Sequence, residues 1–225
     1  MSQQFHHIPS LLKTTELIEL EQLIPQAEFV DGKATASMAA KEVKNNSQLN
    51  AADEVMNAVQ KILNGALQSS PYFNVAAQPK KVYPFIISKY EPGQYYGWHV
   101  DSPIMGEPVI RTDLAMTIFL SDPTAYEGGE LVIQTSFGPV PLKPAKGDAI
   151  LYPCQFLHCV NEVKKGERLA AVTWVQSNIQ LTEQRQILFE LNQVHALLQQ
   201  RDKHSPEANQ LLQTYSNLFR MWADV

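Results

Sequence analysis

Only two of the 225 residues are cysteine, Cys154 and Cys159. That is too few for a disulfide framework, and reduced thiols in a cytoplasmic protein are the simplest reading. Basic charge is not in excess: 18 Lys and Arg stand against 23 Asp and Glu, a formal net charge of −5. This argues against a nucleic-acid partner, whose phosphates need a basic patch. No apolar run is long enough to span a bilayer, so no membrane segment is expected. The start, MSQQFHHIPSLLKTTELIELEQ, has no basic stretch followed by an apolar run and a small-residue cleavage site. No secretory signal is expected there. Internal repeats and low-complexity tracts are also missing. What remains is an ordinary globular composition, 44% hydrophobic and 18% charged. It suits one sizeable domain with a real core, with or without an appendage.

The pattern of that composition changes twice along the chain. Residues 1–79 read as a mixed, partly helical support region. In AADEVMNAVQKILNGALQ, the residues Val55, Met56, Val59, Ile62, Leu63 and Leu67 follow helical spacing. A shorter helix is expected around Glu16–Ile24, stopped by Pro25. Residues 80–178 read as β: KVYPFIISKY, DLAMTIFLSD, GGELVIQT, GPVPLKPAKGDAILYP and RLAAVTWVQS are short runs rich in Val, Ile, Thr and aromatics. Turn signals at Glu91-Pro92-Gly93, Gly128-Gly129, Lys146-Gly147-Asp148 and Lys165-Gly166 separate them. Many short strands without intervening helices predict a sandwich or jelly roll. In residues 179–225 the helical period returns, with Ile187, Leu188, Leu191, Val194 and Leu198 on one face. Ser205-Pro206-Glu207 then starts a second helix carrying Leu211, Leu212, Tyr215, Leu218, Phe219 and Trp222.

The stretch YEPGQYYGWHVDSP sets His99 two residues before Asp101. In a strand, residues i and i+2 share a face. The two side chains can therefore converge on a metal ion, or simply on each other as a His–Asp hydrogen bond. Of the other histidines, His6 and His7 fall in an expected frayed terminus. His195 falls on an apolar helix face, where it is expected as a satisfied core residue, and His204 between two helices. His158, in LYPCQFLHCVNEV, has apolar flanks and follows Asp101 after 56 residues. A histidine buried there needs a partner. Two histidines and one carboxylate form the facial triad of non-haem Fe(II) oxygenases, which leaves adjacent coordination positions open. Ten residues beyond His158 comes Arg168, which shares a strand face with Ala170, Val172 and Trp174. Read alone, Arg168 is a strand-end surface residue or a partner for Glu162 or Glu167. Beside a metal triad it makes sense as a fork for a carboxylate.

The order H-x-D, a distal His and an Arg ten residues later resembles the prolyl/lysyl-hydroxylase type of Fe(II)/2-oxoglutarate-dependent dioxygenases. So do the words YEPGQYYGWHVD, EGGELVI and GDAILYPCQFLHCVNEVKKGERLAAVTW. The match covers about residues 80–178, and the whole layout is similar to the bacterial PKHD-type hydroxylases, a subfamily associated with iron uptake. The resemblance implies a double-stranded β-helix with His99, Asp101 and His158 on Fe(II), and Arg168 on the distal carboxylate of 2-oxoglutarate. It implies dioxygen as co-reactant and ascorbate as the accessory that rescues oxidised iron. Tyr90 stands where such enzymes carry a cosubstrate-facing tyrosine, and Trp174 would be a pocket wall near the metal. Some relatives place a cosubstrate-binding tyrosine on the strand written here MTIFLSD; this chain has Phe119 in that neighbourhood, so that contact is either absent or supplied elsewhere, with Thr117 the candidate. Related halogenases replace the carboxylate by a small residue, so Asp101 implies hydroxylation of an unactivated C–H bond.

Two rivals stand beside this reading. A non-catalytic jelly-roll sensor of metal or 2-oxoglutarate would keep the triad; a zinc hydrolase would use the same three ligands with a general base. The substrate, peptidyl or small-molecule, is not written in these motifs. The stretch SPIMGE, directly after Asp101, is expected to leave the barrel mouth as a mobile substrate lid, with Ile104 and Met105 as its apolar surface. The C-terminal helices are the expected contact of any homo-oligomer.

Overall fold

The computed structural model describes residues 5–35, 41–202 and 205–224. His204 lies outside the described residues. Seventeen strands are present among those described: β1 (His6–Ile8), β2 (Glu28–Asp31), β3 (Lys44–Asn45), β4 (Ser47–Asn50), β5 (Pro79–Val82), β6 (Ile86–Tyr90), β7 (Tyr95–His99), β8 (Ile104–Met105), β9 (Ile110–Arg111), β10 (Leu114–Phe119), β11 (Tyr126–Gly128), β12 (Leu131–Thr135), β13 (Gly138–Leu142), β14 (Ala149–Pro153), β15 (His158–Val160), β16 (Val163–Gly166) and β17 (Arg168–Ser177). They build a major sheet in the order β1-β14-β10-β17-β6-β4-β2, with β5 also on β17, and a minor sheet β13-β12-β15-β7-β3. All pairings are antiparallel. Two facing antiparallel sheets with such crossovers form the expected jelly roll.

Both faces of the major sheet are covered, which is why its central strand β10 reads as a continuous apolar run with all six residues buried. The outer face packs Met116, Ile118, Ile87, Ala171 and Val175 against α1 (Thr14–Leu23), α2 (Asp53–Ser69) and α3 (Pro71–Ala77). Helix α2 buries Val59, Leu63, Ala66 and Leu67 there, the stripe expected from its spacing. Truncating Leu63 to alanine would cost about 2–5 kcal/mol. Helix α1 ends at Leu23, and Pro25 sits in the 3-10 turn that follows. Helix α3 was not evident from periodicity. It is defined by its ends instead: Ser70 accepts a hydrogen bond from the Phe73 amide, Pro71 follows, and Gln78 stops it in the left-handed conformation.

Four expectations change. His6 and His7 are not frayed: they form the edge strand β1 against β14, and His6 is buried. The N-terminal region also supplies β2, β3 and β4, so it contributes strands to both sheets as well as helices. In α4 (Thr182–Arg201) the buried residues are Arg185, Leu188 and Phe189, while Ile187 and Val194 are exposed. His195 on that helix is only half-buried, not a core residue. Helix α5 (Pro206–Trp222) begins as its sequence indicates, with Ser205 accepting from the Ala208 amide at 3.0 Å. No helix among the described residues is long and apolar enough to cross a membrane.

Candidate metal and cosubstrate site

The inner faces of the two sheets enclose a cavity of about 320 Å³, within the usual size of small-molecule sites. Strand alternation and register set its walls. Across the major sheet, Arg168 stands opposite Tyr90, Ala170 opposite Ser88 and Phe119, Val172 opposite Ile86 and Thr117, and Trp174 opposite Ala115. The face shared by Arg168, Ala170, Val172 and Trp174 is therefore the inward one. Its alternates Leu169, Ala171 and Val175 pack toward the helices.

His99 ends β7 and His158 begins β15, and the two are direct cross-strand partners. Their ring centroids are 4.3 Å apart. Asp101, two residues on from His99, brings Oδ2 to 3.9 Å from His158 Nε2. One ligand atom from each of the three lies within 4.8 Å of the others. Each imidazole is oriented by its own backbone: Nδ1 of His99 donates to the Gly97 carbonyl at 2.8 Å, and Nδ1 of His158 to the Phe156 carbonyl at 2.9 Å. A carbonyl only accepts, so the proton is on Nδ1 and the Nε2 lone pair is left for a metal. Tyr96 stacks on the His99 ring at 3.6 Å, and Tyr152 meets His158 edge-on at 5.1 Å, which fixes both planes. Burial, reinforced by His158, pulls the His99 pKa down to about 3; His99 is thus neutral at neutral pH, the form a metal binds. Burial pushes the Asp101 carboxyl up, opposed mainly by His158. Asp101 Oδ2 is buried and has no hydrogen-bond partner. An unmet carboxylate oxygen between two oriented lone pairs fits a divalent cation and disfavours the simple His–Asp pair. The Trp174 indole adjoins Asp101, and its Nε1 is likewise buried without a partner.

Arg168 is 1% exposed, so it is not a surface residue. It forms no ion pair among the described residues: Glu167 reaches Lys89 at 3.9 Å instead. Its Cζ lies 5.0 Å from the Tyr90 ring centroid and 5.4 Å from that of Phe119, and its Nε has no partner. Gly129 makes room for it: at φ +65°, a Cβ there would stand 3.0 Å from Arg168 Cδ. The glycine pair in EGGEL thus marks a close approach as well as a turn. A buried guanidinium without a carboxylate is costly, and a ligand carboxylate would offset that cost.

Of the remaining sequence candidates, Tyr90, Thr117 and Trp174 line the cavity. Phe119 is on the same inward face but does not line the cavity, and instead backs the Arg168 guanidinium. Ile104 and Met105 also reach the cavity, but not as irregular chain: they form β8, which pairs with β9 in a short hairpin. Arg111 on β9 holds that hairpin by a two-pronged pair with Asp113, at 2.7 and 3.0 Å. Sequence reasoning missed Tyr96, Tyr152, Lys44, Asn46 and Gln48, all on the wall. The alternation of Lys44, Asn46 and Gln48 was the available signal, but polar alternation does not announce a strand.

Comparison with known proteins agrees with this geometry. Residues 85–176 match the 2OG-Fe(II) oxygenase superfamily, and residues 183–224 match the PKHD-type hydroxylase C-terminal domain. A PKHD-type hydroxylase of Crocosphaera subtropica is 41% identical over 96% of this chain and 98% of its own. PKHD-type hydroxylase YbiX of Escherichia coli is 37% identical, covering 98% of this chain and 99% of its own. Among solved structures, a Pseudomonas putida prolyl-4-hydroxylase aligns with TM-score 0.53 at 15% identity, over 77% of this chain and 92% of that one. HygX of Streptomyces hygroscopicus, solved with nickel, 2-oxoglutarate and hygromycin B, aligns with TM-score 0.55 at 13% identity, over 80% and 85%. The structures share the jelly-roll fold, and the near-full-length sequence relatives carry the family: the chain belongs to the PKHD-type hydroxylases and is an Fe(II)- and 2-oxoglutarate-dependent dioxygenase.

Proposed function

We propose that His99, Asp101 and His158 hold the Fe(II), and that Arg168 receives the distal carboxylate of 2-oxoglutarate, with Tyr90 and Thr117 beside it. The observation that carries this reading is one cavity containing three convergent metal-ligand atoms and a buried guanidinium with no carboxylate of its own. Bound Fe(II) supplies the redox chemistry: dioxygen is split between succinate, formed with carbon dioxide from 2-oxoglutarate, and a hydroxyl on the substrate carbon. The chain's own part is positional. His99 and His158 present neutral Nε2 atoms, Asp101 supplies the anionic ligand, and Arg168 fixes the far end of the oxo acid. Trp174 and Tyr152 shield the metal side from water.

The substrate is peptidyl or a small molecule and passes the β8–β9 hairpin, where Ile104 and Met105 form a substrate-contacting lid. Ascorbate restores oxidised iron, and the protein works in the cytoplasm, where the free thiols of Cys154 and Cys159 stay reduced. Residues 1–79 support the catalytic jelly roll of 80–178, and 179–225 form a helical region through which copies associate; exposed Leu197, Leu212 and Met221 favour that role. A zinc hydrolase is disfavoured because Asp101 is the only carboxylate among the described residues on the cavity wall. Anaerobic addition of 2-oxoglutarate to the Fe(II) protein should give a visible metal-to-ligand charge-transfer band. His99→Ala, Asp101→Ala and His158→Ala should each lose iron and the band while circular dichroism is unchanged. Full iron occupancy in any of the three would remove that residue from the ligand set.

A further inference from the structure

The wall opposite the minor-sheet histidines carries a polar residue that no motif announces. Asn46 sits where the chain crosses from β3 in the minor sheet to β4 in the major sheet, closing one side of the sandwich. It is 3% exposed and faces the cavity. Neither its Oδ1 nor its Nδ2 has a hydrogen-bond partner. Its backbone is committed, since its carbonyl accepts from the Gly32 amide at 2.9 Å. The carboxamide lies over Gly32, where any Cβ would collide with it. Leaving both ends of a buried amide unmet is costly, and such atoms call for a ligand.

The register says which ligand. Ser47 pairs with Lys89, so Asn46, one residue earlier, stands beside Tyr90, and Tyr90 is the cross-strand partner of Arg168. The Asn46 and Tyr90 side chains adjoin. Asn46 just before β4, Tyr90 on β6 and Arg168 on β17 thus form one lateral row, at the opposite end of the major sheet's inward face from Trp174. Two members of the row, Asn46 and Arg168, hold buried nitrogen atoms without acceptors. An amide N–H and a guanidinium N–H that converge on one space are met together by a carboxylate. We infer that Asn46 is a second binding residue for the distal carboxylate of the 2-oxo acid, donating from Nδ2 while Arg168 supplies the charge. This rests on the assignment of the cavity to 2-oxoglutarate made above.

The test separates a contact to that carboxylate from a merely structural role. Metal-loaded protein is titrated anaerobically with 2-oxoglutarate and, separately, with 2-oxobutanoate, which keeps the chelating end and lacks the distal carboxylate. Calorimetry and the charge-transfer band are read in wild type, Asn46→Ala and Asn46→Asp. The alanine variant should bind 2-oxoglutarate about tenfold or more weakly, and the aspartate variant more weakly still by charge repulsion. Both should bind 2-oxobutanoate as wild type does. Equal weakening for the two oxo acids, or no change for either, overturns the inference. If Asn46→Ala does not fold, the isosteric Asn46→Asp decides alone. If wild-type protein shows neither band nor heat with 2-oxoglutarate, the assignment of the cavity itself fails; that result is distinct from a normal wild type with indifferent variants.

Discussion

Arg168 and Arg185 are both buried, at 1% and 4% exposure, and the chain treats them in opposite ways. Arg185, near the start of α4, is spent on structure. Its Nη1 donates to the carbonyls of Ile179 at 2.7 Å and Gln180 at 2.8 Å, and its Nη2 to Thr182 Oγ1 at 3.0 Å. It thereby fastens the C-terminal helices to the end of β17. Arg168, at the other end of the same strand, has aromatic rings around it and an Nε without an acceptor. Burial alone therefore does not distinguish a structural arginine from a binding one; what its donors meet does.

Exchanging the two effects is the strongest way to break the comparison. Arg168→Gln should raise the dissociation constant for 2-oxoglutarate by about a hundredfold or more, as loss of one side of a buried charged pair costs on the order of 3–5 kcal/mol. The thermal midpoint of the ligand-free protein should hardly fall, because Arg168 has no ion pair to lose and only its contacts with the Tyr90 and Phe119 rings go. A fall in midpoint with unchanged 2-oxoglutarate affinity would make Arg168 the structural arginine. Arg185→Met should do the reverse. Two carbonyls lose their donor, at about 1–3 kcal/mol each when buried, and the midpoint should drop by several degrees, since about 1 kcal/mol corresponds to roughly 2–4 °C at this chain length. Affinity for 2-oxoglutarate should stay within about twofold. Differential scanning fluorimetry and calorimetry on the two variants decide both.

The smallest effect sharpens the Arg185 side. His6 packs against Phe189 and Tyr72, and burial, followed by the nearby Arg185 cation, pulls its pKa down to about 4. A histidine depressed in the folded state keeps its full contribution above its unfolded value near 6.5. That contribution is lost as pH falls toward about 4, because the unfolded chain takes up the proton first. His99 acts in the same direction in metal-free protein. The thermal midpoint of metal-free protein should therefore decline between pH 6.5 and 4, and His6→Phe should flatten that decline. Unchanged slopes would place His6 in contact with water.

The contrast also explains what the sequence disclosed. His99, Asp101, His158 and Arg168 were legible because a two-residue strand repeat and a fixed order in the chain carry them. The Ser205-Pro206 helix start was legible for a local reason too. Strands β3 and β4, written KN and SQLN, were not: the residues they present to the cavity, Lys44 and Gln48, are both polar, so no apolar alternation marks them. The buried face of α4 was misjudged because the residue that turns it inward is Arg185, which hydrophobic spacing discounts. Strand β1 has three residues and a partner far along the chain, and nothing local predicts that pairing.

That distant pairing bears on the order in which the molecule is built. His7 and its hydrogen-bond partner Asp148 are 141 residues apart, and the β1 register with β14 spans a similar distance. At about 5–20 residues per second of synthesis, roughly 7–28 s separate the emergence of the first strand from that of its partner. Through that interval Ile8, Leu11 and Leu12, all core residues of the finished protein, have no sheet edge to join. Strand β1 is thus made well before the strand it pairs with, and is among the last to be placed.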